Sequence, residues 1–134
     1  MQGSGSESIF QPQSVHSTKG VGYSHVALPG ETLYLAGQVA LDPEGRLVGP
    51  GDATVQTRQA YANLAAILEE LGGGLADIVK LTTYLTDRSS LAGFRAARDA
   101  VSPRPFPPNT LVIVEGLAQP AYLVEIEAIA VIAR

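Results

Sequence analysis

The segment from Tyr122 to Ala133 constrains the chain most. Its residues alternate with the period of two that marks a β-strand. Tyr122, Val124, Ile126, Ala128, Ala130 and Ile132 make one face almost purely apolar. That face requires a packed layer against it. The opposite face carries Leu123, Glu125, Glu127, Ile129, Val131 and Ala133. Two carboxylates therefore sit among large aliphatics on a surface that also needs cover.

The rest of the chain supplies one layer, not two. Tyr23 to Leu28 and Thr32 to Ala36 read as a hairpin around Pro29-Gly30-Glu31, since Pro presets φ and Gly accepts a positive φ. Asp42-Pro43-Glu44-Gly45 is a further turn, with a short return over Arg46 to Val48. Asp52 caps the clearest helix, whose stripe is Thr57, Tyr61, Leu64, Leu68 and Leu71. Gly72-Gly73-Gly74 stops it. Ile78 to Thr86 reads as a strand with Val79, Leu81, Thr83 and Leu85 on one face. A cap at Ser89 or Ser90 opens a second helix, Leu91 to Val101, with Leu91, Phe94, Arg98 and Val101 near one face. Four prolines make Ser102 to Pro108 an irregular loop, and Asn109 to Val114 is a strand. The expectation is an α+β domain: a mixed sheet with two helices packed on one face. Residues 1–17, rich in Gly, Ser and Gln, are expected to be a flexible leader anchored at most by Ile9 and Phe10, with the domain spanning 18–134.

Composition points the same way. Of 134 residues, 46% are hydrophobic and only 16% charged, against roughly 25% charged in ordinary soluble domains. So little charge covers a small surface poorly, and burial against further copies of the chain is the simplest remedy. The net charge of -4 and the absence of a Lys/Arg cluster argue against a nucleic-acid partner. The lack of cysteine excludes disulfides and thiolate chemistry. No apolar run reaches the roughly 18 residues of a membrane span. Met1 to Ser8 has neither a basic nor an apolar signal region, so a cytoplasmic location is the expectation.

Several residues are candidates for chemistry. Glu125 and Glu127 point the same way, roughly 7 Å apart along the strand. A carboxylate flanked by Leu123, Ile129 and Val131 is partly desolvated, which suits it to proton transfer. Spacing alone favours rim charges or pairing with a base across an interface. Tyr23 and His25 follow the glycine pair Gly20 and Gly22 and offer acid-base groups, though a structural role fits His25 better. His16 falls in the leader and carries less weight still. These two histidines, at no ligand-like spacing, predict no metal site. Gly37-Gln38 ends the second strand, where glycine allows close backbone approach by a ligand or simply makes a turn. Arg88, Arg95, Arg98 and Arg104 suit carboxylate capture or a solvated helix face. No P-loop, dinucleotide fingerprint or nucleophile elbow is present.

Taken in order, these segments resemble the Rid (YjgF-type) family. The resemblance rests on Gly22-Tyr23-Ser24-His25, Leu35-Ala36-Gly37-Gln38-Val39, Thr57-Arg58-Gln59-Ala60 with Asn63-Leu64, Asp77-Ile78-Val79-Lys80, Tyr84-Leu85-Thr86-Asp87 and Val124-Glu125-Ile126-Glu127-Ala128-Ile129-Ala130. It runs from about residue 20 to the end, and the last run is the most specific. It implies a chorismate-mutase-like homotrimer with clefts between subunits. It implies cofactor-free hydrolysis of reactive enamines and imines to keto acids and ammonia, as in 2-iminobutanoate/2-iminopropanoate deaminases. Glu125 would position the attacking water, Tyr23 and Gly37 would line the cleft, and Ala36 and Leu111 would complete its wall.

The chain departs from the family pattern at one telling place. The stretch Phe106-Pro107-Pro108-Asn109-Thr110 has Asn109 where active members carry a carboxylate-binding arginine. Asparagine donates hydrogen bonds without charge, and charged contacts are roughly twice as strong. Ala36 replaces a usual serine, Arg95 a frequent asparagine, and the loop after the second helix is shorter. Two expectations follow. Either the protein is a deaminase of altered specificity, with Asn109 bonding substrate and Arg95 or Arg104 supplying the charge. Or it is a non-catalytic homologue whose cleft binds a keto-acid-like small molecule.

Overall fold

The computed structural model describes residues 9–27 and 31–133. Its elements run β1 (Ile9–Phe10), β2 (Val26–Ala27), β3 (Thr32–Gln38), α1 (Ala53–Glu70), β4 (Ile78–Leu85), α2 (Leu91–Val101), β5 (Asn109–Ile113) and β6 (Val124–Val131). Among the described residues the strands form a six-stranded sheet in the order β1-β2-β3-β6-β4-β5. Only β4 and β5 are parallel, and α2 is the crossover between them. The other pairs are antiparallel, and the long C-terminal strand β6 lies between β3 and β4. No helix of the described residues is long and apolar enough to cross a membrane.

Local chemistry explains the helix ends. The Asp52 carboxylate accepts a 3.0 Å hydrogen bond from the Val55 amide at the start of α1. At its end Gly72 adopts φ +88°, and the Gly72 and Gly73 amides donate back to the carbonyls of Glu69 and Leu68. This Schellman closure needs a residue that tolerates the left-handed region. Asp87, rather than Ser89 or Ser90, does the capping ahead of α2. It accepts from the Ser89 amide in a short 3-10 turn, Arg88–Ser90, and Ser90 makes no side-chain cap bond.

The core sits between the helices and one sheet face. Tyr61, Leu64 and Leu68 of α1 and Phe94 of α2 pack on Leu33, Leu35, Leu81, Leu85, Val124, Ile126, Ala128 and Ala130. The apolar face of β6 is thus buried as its alternation requires, a buried side chain such as that of Ile126 stabilising the fold by about 1.5–3 kcal/mol. The other sheet face has no helix over it. Tyr34 is half exposed, and Val112 and Val131 are also exposed.

Other expectations change as well. Val79 does not join the core: the β4–β6 register shifts between Ile78 and Lys80, turning Ile78 inward and leaving Val79 exposed. Val101 is exposed too, and Ala97 takes the buried place beside Phe94. Arg46 to Val48 contributes a single bridge, Leu41 to Leu47, not a strand. Residues 9–17, assigned to the leader by composition, are packed. β1 pairs with β2, Val15 and His16 are buried, and Gln11 Oε1 accepts from both the amide and the hydroxyl of Thr18. Side-chain hydrogen bonds from Gln11 and His25 help hold this segment, which hydrophobicity alone does not register. The hairpin turn expected at Pro29-Gly30 lies outside the described residues.

Candidate functional site

The site begins at a β-bulge. Along β3, Leu35 pairs with Ala128 and Gln38 with Ile126, so three steps on β3 match two on β6. The extra residue changes the phase of the strand, and Leu35 and Gln38 both turn inward and are buried. Between them the backbone of Ala36-Gly37 lies against the carboxyl group of Glu125. A Cβ on Gly37 would fall 2.7 Å from Glu125 Cδ and 2.8 Å from its Cγ. Only glycine leaves room for this contact.

The chain before β2 closes the site from another side. Gly22, at φ +106°, turns the backbone so that Tyr23 to His25 leave strand geometry. His25 is buried and fully paired. Its Nε2–H donates to the His16 carbonyl at 2.7 Å, and its Nδ1 accepts from Gln38 Nε2 at 3.0 Å. The bonds fix one neutral tautomer. Burial lowers its pKa, only partly opposed by the bond to His16. The His16 ring meets His25 edge-on, with centroids 4.6 Å apart, and its Nε2 lies 3.4 Å from Tyr23 Oη. Burial, then the neighbouring His25, lowers the His16 pKa as well.

A cleft of about 540 Å³ results, with His16, Tyr23, Gly37, Gln119, Tyr122 and Glu125 among its lining. Ala36, Val21, Val39, Leu41 and Ala118 provide its apolar wall. Burial raises the Glu125 pKa, and the nearby Glu127 charge adds to this. The Tyr23 phenol is pushed up by burial, then by Glu125 and Tyr122, so it remains a proton-bearing donor at neutral pH. The two carboxylates differ in role. Glu127 accepts a short hydrogen bond from the Tyr84 hydroxyl on the open sheet face, while Glu125 faces the cleft.

The structure brings Glu125, Tyr23, Gly37 and Ala36 together. It does not bring Asn109, Leu111 or Arg95 to them within one chain. Asn109 and Leu111 lie on β5 at the far edge of the sheet, and Asn109 Oδ1 accepts from the buried Thr83 hydroxyl at 3.1 Å. Arg95 is exposed on α2. Arg104 is exposed as well, its guanidinium 4.8 Å over the Phe106 ring. Three contributors were missed in the sequence: His16, Tyr122 and Gln119. The first was hidden by the polar segment around it, and the others lie in a loop whose path only the fold sets.

Comparison with known proteins accords with this geometry. Residues 16–132 match the family model described as Endoribonuclease L-PSP. A RutC family protein of Pyrococcus abyssi is 36% identical over 108 residues, covering 81% of this chain and 84% of that protein. A 2-iminobutanoate/2-iminopropanoate deaminase of Capra hircus is 31% identical over 109 residues, covering 81% of this chain and 79% of that one. Among solved structures, RidA from an Antarctic Psychrobacter superposes with TM-score 0.83 at 35% identity, covering 93% of this chain and 98% of that chain. The YjgF gene product of E. coli does so with TM-score 0.82 at 29% identity, covering 92% and 97%. Sequence and fold agree over nearly the whole domain, and the chain is a member of the Rid (YjgF-type) family.

Proposed function

We propose that the protein hydrolyses small reactive imines or enamines to carbonyl compounds and ammonia, without a cofactor, as a homotrimer with clefts between subunits. One observation carries this reading: a carboxylate of raised pKa, Glu125, held against the Gly37 backbone in a cleft that also presents the Tyr23 phenol. In the reaction, Glu125 takes a proton from water as the oxygen bonds to the imine carbon. It passes that proton to the nitrogen to give the carbinolamine; as the C–N bond then breaks, the hydroxyl proton moves to the nitrogen through Glu125, leaving the carbonyl product and ammonia. The relatives named as 2-iminobutanoate/2-iminopropanoate deaminases support this chemistry. No Lys or Arg lines the cleft among the described residues, which fits a small imine better than the RNA that the family description suggests.

The open sheet face and the low charge content support the trimer. In that assembly Asn109 and Leu111 would serve a neighbouring subunit's cleft, and Arg95 would bind a substrate carboxylate only across such a boundary. A non-catalytic binding role is favoured by one feature, the uncharged Asn109 with its carbonyl already committed to Thr83.

Hydrolysis of imines generated in place from several amino acids tests both readings, with wild type, Asn109→Arg and Glu125→Ala compared. The enzyme reading expects turnover by wild type and a loss of about 10²–10⁴-fold in Glu125→Ala. A silent wild type with a gain in Asn109→Arg would establish the binding role instead.

A further inference from the structure

Beyond Glu125 and Tyr23, the cleft contains a buried titratable side chain to which neither the family resemblance nor the proposed reaction gives a task. His16 is 8% exposed, lines the cleft, and faces Tyr23 and His25. Its position is set twice over. His25 Nε2–H holds its backbone carbonyl, with Gln11 Nε2 also reaching that oxygen at 3.4 Å. The His25 ring packs edge-on against its imidazole. That neighbour is itself held by Gln38 and cannot swing away without breaking a buried hydrogen bond.

The two ring nitrogens of His16 differ. Nδ1 is buried with no hydrogen-bond partner, while Nε2 has the Tyr23 hydroxyl. A neutral imidazole has one N–H and one lone pair. A buried N–H without an acceptor is rarely tolerated, which places the hydrogen on Nε2, where the Tyr23 oxygen accepts it. The phenol's own hydrogen is then turned away from His16 and is available in the cleft.

We propose that His16 is a positioning residue, whose Nε2–H holds the Tyr23 oxygen and so presents the Tyr23 hydroxyl hydrogen to a ligand seated beside Glu125. Tyr23 is thereby a donor to the nitrogen or oxygen of the reacting centre and not an acceptor. The kinetic consequence rests on the hydrolase reading above, but the hydrogen-bond arrangement does not.

Two measurements on the full chain test it. In ring-nitrogen NMR of histidine-labelled protein, His16 should read as a neutral Nε2–H imidazole, and Tyr23→Phe should shift its Nε2 resonance. The opposite tautomer, or a His16 signal indifferent to Tyr23→Phe, overturns the proposal whether or not the protein turns over any imine. In the hydrolysis assay, His16→Phe should lower kcat about tenfold, as expected for one misdirected hydrogen bond, with KM little changed. His16→Gln, which keeps an N–H donor near the same place, should recover most of the loss. On a Tyr23→Phe background His16→Phe should cost nothing further, because no hydroxyl remains to be aimed. An additive loss there would mark His16 as merely structural and overturn the proposal. If wild type is inactive on all imines, the hydrolase reading fails alone, and the NMR result still decides the role of His16.

Discussion

The Glu125 carboxyl group rests on the bare Cα of Gly37, with no space for a methyl group between them. This contact joins the β3 bulge to the strand that carries the candidate base. Gly37→Ala should push Glu125 off its seat, because the clash involves Cγ and Cδ and not just the tip of the side chain. The cost to stability should be about 1–3 kcal/mol, measurable by chemical denaturation. Hydrolysis should fall at least tenfold while the circular dichroism of the fold is kept. Unchanged turnover in Gly37→Ala would remove the positional argument for Glu125.

The raised pKa of Glu125 has a stability consequence of definite sign. Burial disfavours its charged form in the folded state, so the folded protein binds this proton more tightly than the unfolded chain. Stability therefore falls as pH rises from the unfolded value of about 4.3 through the folded pKa. Glu125→Gln should raise Tm at pH 7 to 8, and the gain should shrink as pH drops toward about 4. The same variant should lose most hydrolysis, a stability–activity trade expected of a desolvated catalytic carboxylate.

His16 and His25 act in the opposite sense. Both are held below the ordinary histidine value, chiefly by burial. Their stabilising effect is complete above the unfolded pKa of about 6.5 and is lost as pH falls through the lower folded values. Denaturation curves at pH 7.5 and 5 should show this acid loss. His25→Leu should reduce it, while costing about 1–3 kcal/mol at neutral pH because Gln38 Nε2 and the His16 carbonyl each lose a buried hydrogen bond.

Gln56 links the helix layer to the cleft. Buried at the start of α1, it donates to the carbonyls of Gly49 and Ala121 and accepts from the Leu123 amide at 2.9 Å. Gln56→Leu should leave the Ala121 carbonyl and the Leu123 amide without this partner and destabilise the protein by about 1–3 kcal/mol. It should also weaken binding in the cleft, because the freed loop holds Tyr122 and leads directly to Glu125. A variant of full stability and full ligand affinity would show that the loop is held by other contacts.

Much of this molecule was legible in the order of its residues. The alternation of Val124 to Ile132 dictated a strand with one buried face. The stripe from Thr57 to Leu68 dictated the helix that covers it, and Asp52 and Gly72 marked that helix's ends. These are local effects, in which period and capping chemistry act within a few residues. The same alternation identified Glu125 and Glu127 as neighbours on the second face. It could not say that Tyr84 would take one and the cleft the other, because Tyr84 is distant in sequence and meets them only through sheet register.

Tertiary structure decided the rest. The bulge at Ala36-Gly37 arises from matching β3 to β6 and has no signature in β3 alone. The packing of residues 9–17 depends on hydrogen bonds such as those of Gln11 to Thr18 and of His25 to the His16 carbonyl. The family resemblance associates Asn109 and Arg95 with Glu125, yet within the chain β5 and α2 keep them apart from it. The sequence by itself determined the two helices, the longer strands and the sheet face that bears the carboxylates, since all follow from periodic burial. Which polar groups converge was left to the pairing of distant strands, where a shift of one residue sends a side chain to the other face.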